Sequence, residues 1–287
     1  RAGQRKMKKF YIITNKAKDA DYSFTKEIEQ YLKKNGAVCL SSNQEKAGGD
    51  AEYRYTDARQ IPADTECIIV LGGDGTLIQA ARDLAGRNIP MLGINRGHLG
   101  FLNQVDRTED IDAAMDALVN ERFRLERRMM LRGTVFHEGK PVFQDIALNE
   151  IIATSAEHLR VLRYDLAVND EYLNEYAADG VMGATPTGST AYNLSAGGPV
   201  MAPAGRMMAV TPVCSHTLNA RSIVISEEDR VKIGLLGKGL VTFDGDTSQK
   251  TGPGDYLIVE RSHMETVMVK LKQISFMQNL SNYLGNV

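Results

Sequence analysis

The run Ile68-Ile69-Val70-Leu71 empties into Gly72-Gly73-Asp74-Gly75-Thr76, and this junction constrains the fold more than any other stretch. A short, uninterrupted apolar run reads as a strand buried on both faces, as in a parallel sheet. Three glycines around one carboxylate then turn the chain. Glycine permits φ > 0 and lets a ligand approach backbone N–H groups closely, and successive exposed N–H groups can form an anion-binding nest. Asp74 then stands as a lone negative charge beside a phosphate site. Bare phosphate repels it, so the placement suits a general base or a magnesium handle better than a phosphate-binding group. An ordinary tight strand-to-helix turn would read the same way from these residues alone. Other motifs must decide.

Strand and helix signals alternate through the first third. Phe10–Thr14, Ala37–Leu40, Cys67–Leu71 and Ile89–Asn95 read as strands. Phe24, Ile28, Tyr31 and Leu32 follow helical spacing, with Gly36 where a C-terminal cap belongs. Thr76–Leu84 reads as a helix after the glycine turn, and Thr108 as the cap of another helix that carries Ile111, Met115 and Leu118 on one face. Alternation of this kind predicts a parallel sheet with helical crossovers, whose ligands bind beyond the carboxyl ends of the strands. From about residue 129 the pattern changes to short apolar or alternating runs at 131–136, 142–148, 160–168, 171–177, 222–225, 230–236, 240–243, 255–260 and 266–271. That predicts a mainly antiparallel β domain. Phe276, Leu280 and Leu284 give a last helical stretch. The expected organisation is an α/β domain over 1–125, a β-rich, sandwich-like domain over 126–265, and a segment 266–287 that returns to the first domain.

Bulk properties exclude several classes. A net charge of −2 gives no basis for electrostatic capture of nucleic acid. No apolar run is long enough to span a bilayer, and the basic N-terminus lacks the apolar stretch of a signal peptide, with Met7 reading as a natural start. Cys39, Cys67 and Cys214 are far apart and odd in number, which argues against a disulfide framework or zinc site and fits a reducing cytoplasm. There is no Gly-x-x-x-x-Gly-Lys-Ser/Thr loop, no strand-linked Gly-x-Gly-x-x-Gly, no Gly-x-Ser-x-Gly elbow and no protein-kinase signature set.

Three further stretches carry chemistry. Asp179-Gly180 is followed by Thr185-Pro-Thr187-Gly-Ser-Thr190-Ala191-Tyr192-Asn-Leu-Ser195-Ala-Gly-Gly198. Hydroxyls and backbone N–H groups bind phosphate or ribose without adding charge, a short helix opening at Gly188 would favour an anion, and Tyr192 offers a flat ring to a base. A Ser/Thr-rich loop is the bland alternative. Asn149-Glu150 sets an amide beside a carboxylate, a pair able to hold the vicinal hydroxyls of a sugar, or simply a polar interruption at a strand bulge. Asn95-Arg-Gly-His-Leu-Gly-Phe101-Leu follows a strand, and Phe101 is either a purine-stacking ring or core.

In order and spacing, these motifs resemble the NAD kinase family, which phosphorylates the 2′-hydroxyl of the adenosine ribose of NAD. The Gly-Gly-Asp-Gly-Thr loop alone is shared with diacylglycerol and sphingosine kinases; the Thr-Pro-Thr-Gly-Ser-Thr-Ala-Tyr run is much more specific. The resemblance implies Asp74 as catalytic carboxylate, Gly72, Gly73, Gly75 and Thr76 as the donor-phosphate loop, and Mg²⁺ or another divalent cation as cofactor. It implies Asn149 and Glu150 on the nicotinamide-side ribose, Asp179 near the same end of NAD, and Phe101 at adenine. Thr187, Thr190, Ala191, Tyr192 and Ser195 would line the dinucleotide pocket. Partners would be NAD and ATP or polyphosphate, in a homodimer or homotetramer. A lipid kinase and a non-catalytic dinucleotide sensor are the competing readings. The chain departs from the family pattern at Ser215 and at Ala220-Arg-Ser222, where prolines are usual, at Asp244-Gly-Asp246, which has an acid where an amide is frequent, and at Ala177-Ala178, where no basic residue precedes Asp179.

Overall fold

The computed structural model describes residues 6–41, 56–95, 100–106, 111–157, 160–217, 219–271 and 275–285. The expected cap at Thr108 lies outside them. In chain order the elements are β1 (Lys9–Thr14), α1 (Ser23–Lys34), β2 (Val38–Ser41), β3 (Cys67–Leu71), α2 (Asp74–Asp83), β4 (Met91–Asn95), β5 (Val105–Asp106) and α3 (Ile111–Val119). Then come β6 (Arg124–His137), β7 (Lys140–Ala147), β8 (Glu150–Ser155), β9 (Leu162–Val168), β10 (Glu171–Ala178), β11 (Gly180–Ala184), α4 (Tyr192–Ser195), β12 (Met207–Val213) and β13 (Ile223–Ser226). The chain closes with β14 (Val231–Leu235), β15 (Gly239–Phe243), β16 (Thr247–Thr251), β17 (Tyr256–Lys270) and α5 (Phe276–Leu284). Two compact units result, Arg1–Arg127 with Thr266–Val287, and Arg128–Glu265.

The first unit is α/β. Its strands run in the order β2-β1-β3-β4, all parallel, with β5 beside β4 and Met268 near the end of β17 paired to Met91. All five residues of β3 and of β4 are buried, as a strand covered on both faces requires. Helix α1 buries Phe24, Ile28 and Leu32, one turn apart, and Gly36 closes it at φ 80° with its N–H on the Lys33 carbonyl. The core gathers Ile12, Ile28, Leu32, Ile69, Leu92, Ile94, Met115 and Leu118.

The second unit is β-rich and antiparallel. One sheet has the order β13-β12-β11-β8-β15-β16; the other pairs β10-β9-β14-β17 and joins β6 to β17 and β7. Leu131, Tyr164, Val181, Val210, Ile233, Phe243 and Val259 share one core. Where the expected strand list differs from this, the cause is local. The runs 255–260 and 266–271 form one strand, β17. β11 was not anticipated because Gly180 and Gly183 interrupt it, yet a Cβ at Gly180 would meet the Ala153 carbonyl at 2.7 Å, so the ladder needs a residue without one. β12 hides behind Pro212, which pairs with Val181, and β16 is a polar edge. No helix is long and apolar enough to cross a membrane among the described residues.

Candidate active site

In the first unit the carboxyl ends of β1, β3 and β4 lead to one cluster. Gly73 is the extended N-cap of α2, and Asp74 is the first helical residue, where the helix dipole favours a negative charge. None of Gly72, Gly73 and Gly75 has positive φ, which corrects the expectation of a left-handed turn or nest. Their uses are different. A Cβ at Gly72 would meet Thr76 Oγ1 at 2.5 Å, so this glycine is a close-packing position. Gly73 and Gly75 have open space where a Cβ would point, leaving their backbone accessible to a ligand. The Thr76 side chain is buried and its hydroxyl accepts from Asn15 Nδ2 at 3.0 Å. It locks the turn to the end of β1, and only its backbone is left for the expected donor loop.

The Asp74 carboxylate is held from the segment after β4. Phe101 N–H donates to Oδ2 at 3.0 Å and Asn103 Nδ2 to Oδ1 at 2.6 Å. A Cβ at Gly100 would collide with the carboxylate, so the glycine before Phe101 is what lets that segment close over Asp74. Burial raises the Asp74 pKa above the usual carboxylate value, and hydrogen bonds from Asn103, Leu102 and Phe101 pull it back. The result is a desolvated, fixed, still ionisable carboxylate. Asn103→Ala removes the strongest of these opposing bonds. We expect its kcat to fall on the order of tenfold and the acid limb of its pH–rate profile to move to higher pH, measured by initial rates from pH 5 to 9.

A metal cage is absent: no three His, Cys, Asp or Glu side chains cluster among the described residues. Magnesium in phosphoryl transfer usually takes one or two carboxylates and otherwise waters and substrate phosphates. A single carboxylate beside an open backbone fits that donor set.

The second unit gathers three segments distant in sequence. Thr185 N–H donates to the Asn149 carbonyl (2.8 Å) and Thr185 Oγ1 to the Leu148 carbonyl (2.6 Å), which ties the hydroxyl-rich loop to the turn between β7 and β8. Asp244, from the β15–β16 turn, receives the N–H groups of Leu148, Asn149 and Glu150 at 2.7, 2.8 and 3.0 Å. Asn149 is thus in a pinned turn rather than a bulge. Asn149 Oδ1 and Glu150 Oε2 are both buried without a hydrogen-bond partner. Burial first, and Asp244 second, push the Glu150 pKa up to about 8.

Much of the hydroxyl run is structural. Thr185 also accepts from Gly188 N–H, and Ser189 Oγ bonds the Pro186 and Met201 carbonyls. Thr187 Oγ1 accepts from Arg128 Nη1 at 3.2 Å. Asn193, fully buried, donates to the Ser189 and Pro199 carbonyls and accepts from Thr211. The short helix expected at Gly188 is a 3₁₀ turn, Gly188–Thr190, followed by the four-residue α4. Thr190 and Ala191 are half-buried on this turn, and Tyr192 and Ser195 are exposed, leaving the tyrosine ring open to a flat partner.

Residues 10–123 match the model of the ATP-NAD kinase N-terminal domain, and residues 148–271 that of the ATP-NAD kinase C-terminal domain. The chain belongs to the NAD kinase family. It is 38% identical to an NAD kinase of Lachnospira eligens, covering 96% of this chain and 99% of that one, and 40% identical to one of Agathobacter rectalis, covering 98% and 99%. Among solved structures, yeast NADH kinase complexed with NADH superposes with a TM-score of 0.83 at 21% identity, covering 98% of this chain and 88% of that one. An NAD kinase from Archaeoglobus fulgidus in complex with ATP gives 0.78 at 23%, covering 97% and 99%. At these identities the structures speak for the fold.

Against the NAD kinase pattern, Asp179 stands apart from its expected neighbours, and Phe101 meets Asp74 through its backbone while its ring packs elsewhere. Asp179 is exposed and precedes Gly180, which pairs with Thr154 at the far end of the ladder from the Glu150–Ala184 pair. At about 3.3 Å per residue the backbone separation is roughly 15 Å, so Asp179 does not share the Asn149–Glu150 end within its own unit. Phe101 is half-buried, and its ring is tilted against Tyr283 of α5 with centroids 4.9 Å apart. Ser215, in place of a usual proline, accepts from Thr217 N–H at 3.1 Å, so a hydrogen bond supplies local order that a ring would give. The sequence motifs did not signal Asn15, Asn103 or Arg128, and Asn193 lies inside the hydroxyl-rich run without an expected role. Asp244 sits in an Asp-Gly pair with φ of 52° and 69°, a hairpin signal legible in sequence, but the tucking of its carboxylate under a turn 94 residues away is not.

Proposed function

We propose that this NAD kinase transfers the terminal phosphoryl group of ATP to the 2′-hydroxyl of the adenosine ribose of NAD, giving NADP. The observation that carries the reading is the Asp74 carboxylate, desolvated, fixed by Phe101 N–H and Asn103, and flanked by the open backbone of Gly73 and Gly75. Phosphoryl transfer asks mainly for positioning and charge neutralisation. Asp74 accepts or orients the proton of the attacking hydroxyl, and the backbone at Gly73 and Gly75 receives the donor phosphates. A divalent cation held with those phosphates beside Asp74 would supply the neutralisation of their charge. Asn149 and Glu150 offer their unpartnered oxygens to a ribose diol, and the exposed Tyr192 ring receives a flat ring of the dinucleotide. Three free cysteines fit work in a reducing cytoplasm, and a homodimer or homotetramer is the expected assembly.

The test is incubation with NAD, ATP and Mg²⁺ followed by detection of NADP with an NADP-specific dehydrogenase. NADP formed from ATP supports the reading. NADP formed only from polyphosphate would change the donor, and none from either donor, with NAD still bound, would leave a dinucleotide sensor. Asn149→Ala removes a contact remote from the reacting hydroxyl. It should raise the KM for NAD about tenfold or more with little change in kcat, and a collapse of kcat at constant KM would show that Asn149 has another role.

A further inference from the structure

Asp244 does something that neither the motifs nor the reaction demands of it. Its two oxygens take three consecutive backbone N–H groups, those of Leu148, Asn149 and Glu150. A carboxylate solvated by several N–H donors is strongly favoured in its charged form. That fixed charge sits directly under Glu150, whose own Oε2 is buried and unpartnered, next to the equally unpartnered Asn149 Oδ1. Two orphaned acceptors side by side are costly in an empty site, and two adjacent carboxylates resist ionising together.

We propose that Asp244 is a positioning residue that shapes the Asn149–Glu150 turn and, by holding the negative charge itself, assigns the proton to Glu150. The turn then offers a vicinal diol one donor, the Glu150 O–H, and one acceptor, Asn149 Oδ1. Each ribose hydroxyl both donates and accepts, so this pair satisfies a diol without leaving an unpaired charge. The inference rests on the reading of Asn149 and Glu150 as the ribose-holding pair. The other charged groups on elements packed against the turn have their own contacts or face solvent. Asp145 of β7 receives the Thr247 hydroxyl, Asp246 of the β15–β16 turn is exposed to solvent, and Arg128 of β6 points Nη1 at Thr187. Burial and Asp244 both move the Glu150 pKa upward, to about 8.

The experiment is equilibrium binding of NAD by calorimetry, without phosphoryl donor, at pH 6.5, 8.0 and 9.5. It compares the wild type, Glu150→Gln and Asp244→Asn, with NADP formation by the wild type measured in parallel. If only the protonated form binds, a group titrating near 8 is about 3% protonated at pH 9.5, so wild-type affinity should fall about 30-fold from pH 6.5. Glu150→Gln should bind with no pH dependence over this range. Asp244→Asn removes the charge and keeps one acceptor, so its loss of affinity should begin at lower pH than in the wild type. A purely structural Asp244 would weaken binding equally at every pH. A wild type with flat affinity, or a Glu150→Gln variant that keeps the wild-type slope, would overturn the proposal, and this pair decides the matter even if Asp244→Asn fails to fold. A wild type that makes no NADP and binds no NAD would instead remove the ribose reading itself.

Discussion

Asp74→Asn is expected to lower kcat by about 10²–10⁴-fold, the usual contribution of a positioned general base, while leaving NAD binding nearly intact. The geometry makes this an unusually clean substitution. The new amide keeps one oxygen, which can still accept from Phe101 N–H, now 3.0 Å from Oδ2. Its NH₂ group would face the Asn103 NH₂ group, an unfavourable donor–donor contact. Asn103 has a remedy, because its Oδ1 is buried and unpartnered in the wild type. Turning that amide over lets Asn103 Oδ1 accept from the new NH₂ group. The local packing survives, and only the proton acceptor is lost. The check is steady-state kinetics alongside calorimetric NAD binding and a thermal melt. A variant with near-wild-type kcat would exclude Asp74 as base, and one that melts early would show that the carboxylate is structural.

The sequence exposed the site unevenly, and the difference has a physical pattern. Asp74 was legible because its neighbours are extreme: a fully buried strand on one side and glycines on the other. Asn149 and Glu150 were legible as a polar pair inside apolar sequence. The role of each glycine was not. Left-handed backbone was the natural expectation at Gly72, Gly73 and Gly75, yet their φ values are ordinary, and what matters is the space where a Cβ would stand. That space is defined by partners far along the chain, as at Gly100 over Asp74, and no local pattern encodes it. The hydroxyl run shows the same limit from the other side. The four hydroxyl residues of 185–190 divide into Thr185, Thr187 and Ser189, which are buried and tied to other segments, and Thr190, which is half-buried and bonds the Thr187 carbonyl within its own turn. Composition marks the loop, and only the tertiary contacts sort its members. The α/β first unit was read well because helical and strand periods differ strongly there. The β-rich unit was read less well wherever glycine or proline stands in a ladder, at Gly180, Gly183 and Pro212.

Gly188→Ala should be the most damaging conservative change in the second unit. Its added Cβ would collide with the Asn149 backbone, lying 2.6 Å from Cα. Side chains can rotate away from such a clash, but this backbone is pinned. Asp244 holds three of its N–H groups, and Thr185 bonds the Leu148 and Asn149 carbonyls. The alanine must therefore prise the 185–190 loop away from the 148–150 turn. Overpacking of a well-filled interior costs about 1–3 kcal/mol, which for a chain of this size lowers the melting temperature by roughly 2–10 °C. The larger consequence is for the ligand. A shift of about 1 Å between groups that must meet one substrate can cost about 10²-fold in rate, so NAD affinity and kcat/KM should fall together by about that factor. Gly237→Ala provides the comparison, since a Cβ there has nothing within 4 Å and the backbone φ is not positive. Equal melting temperatures and equal kcat/KM for the two variants would mean that contact between the hydroxyl loop and the Asn149 turn does not organise the site. A loss confined to Gly188→Ala would show that the two segments, joined by Thr185 and by the absence of one methyl group, act as a single binding surface.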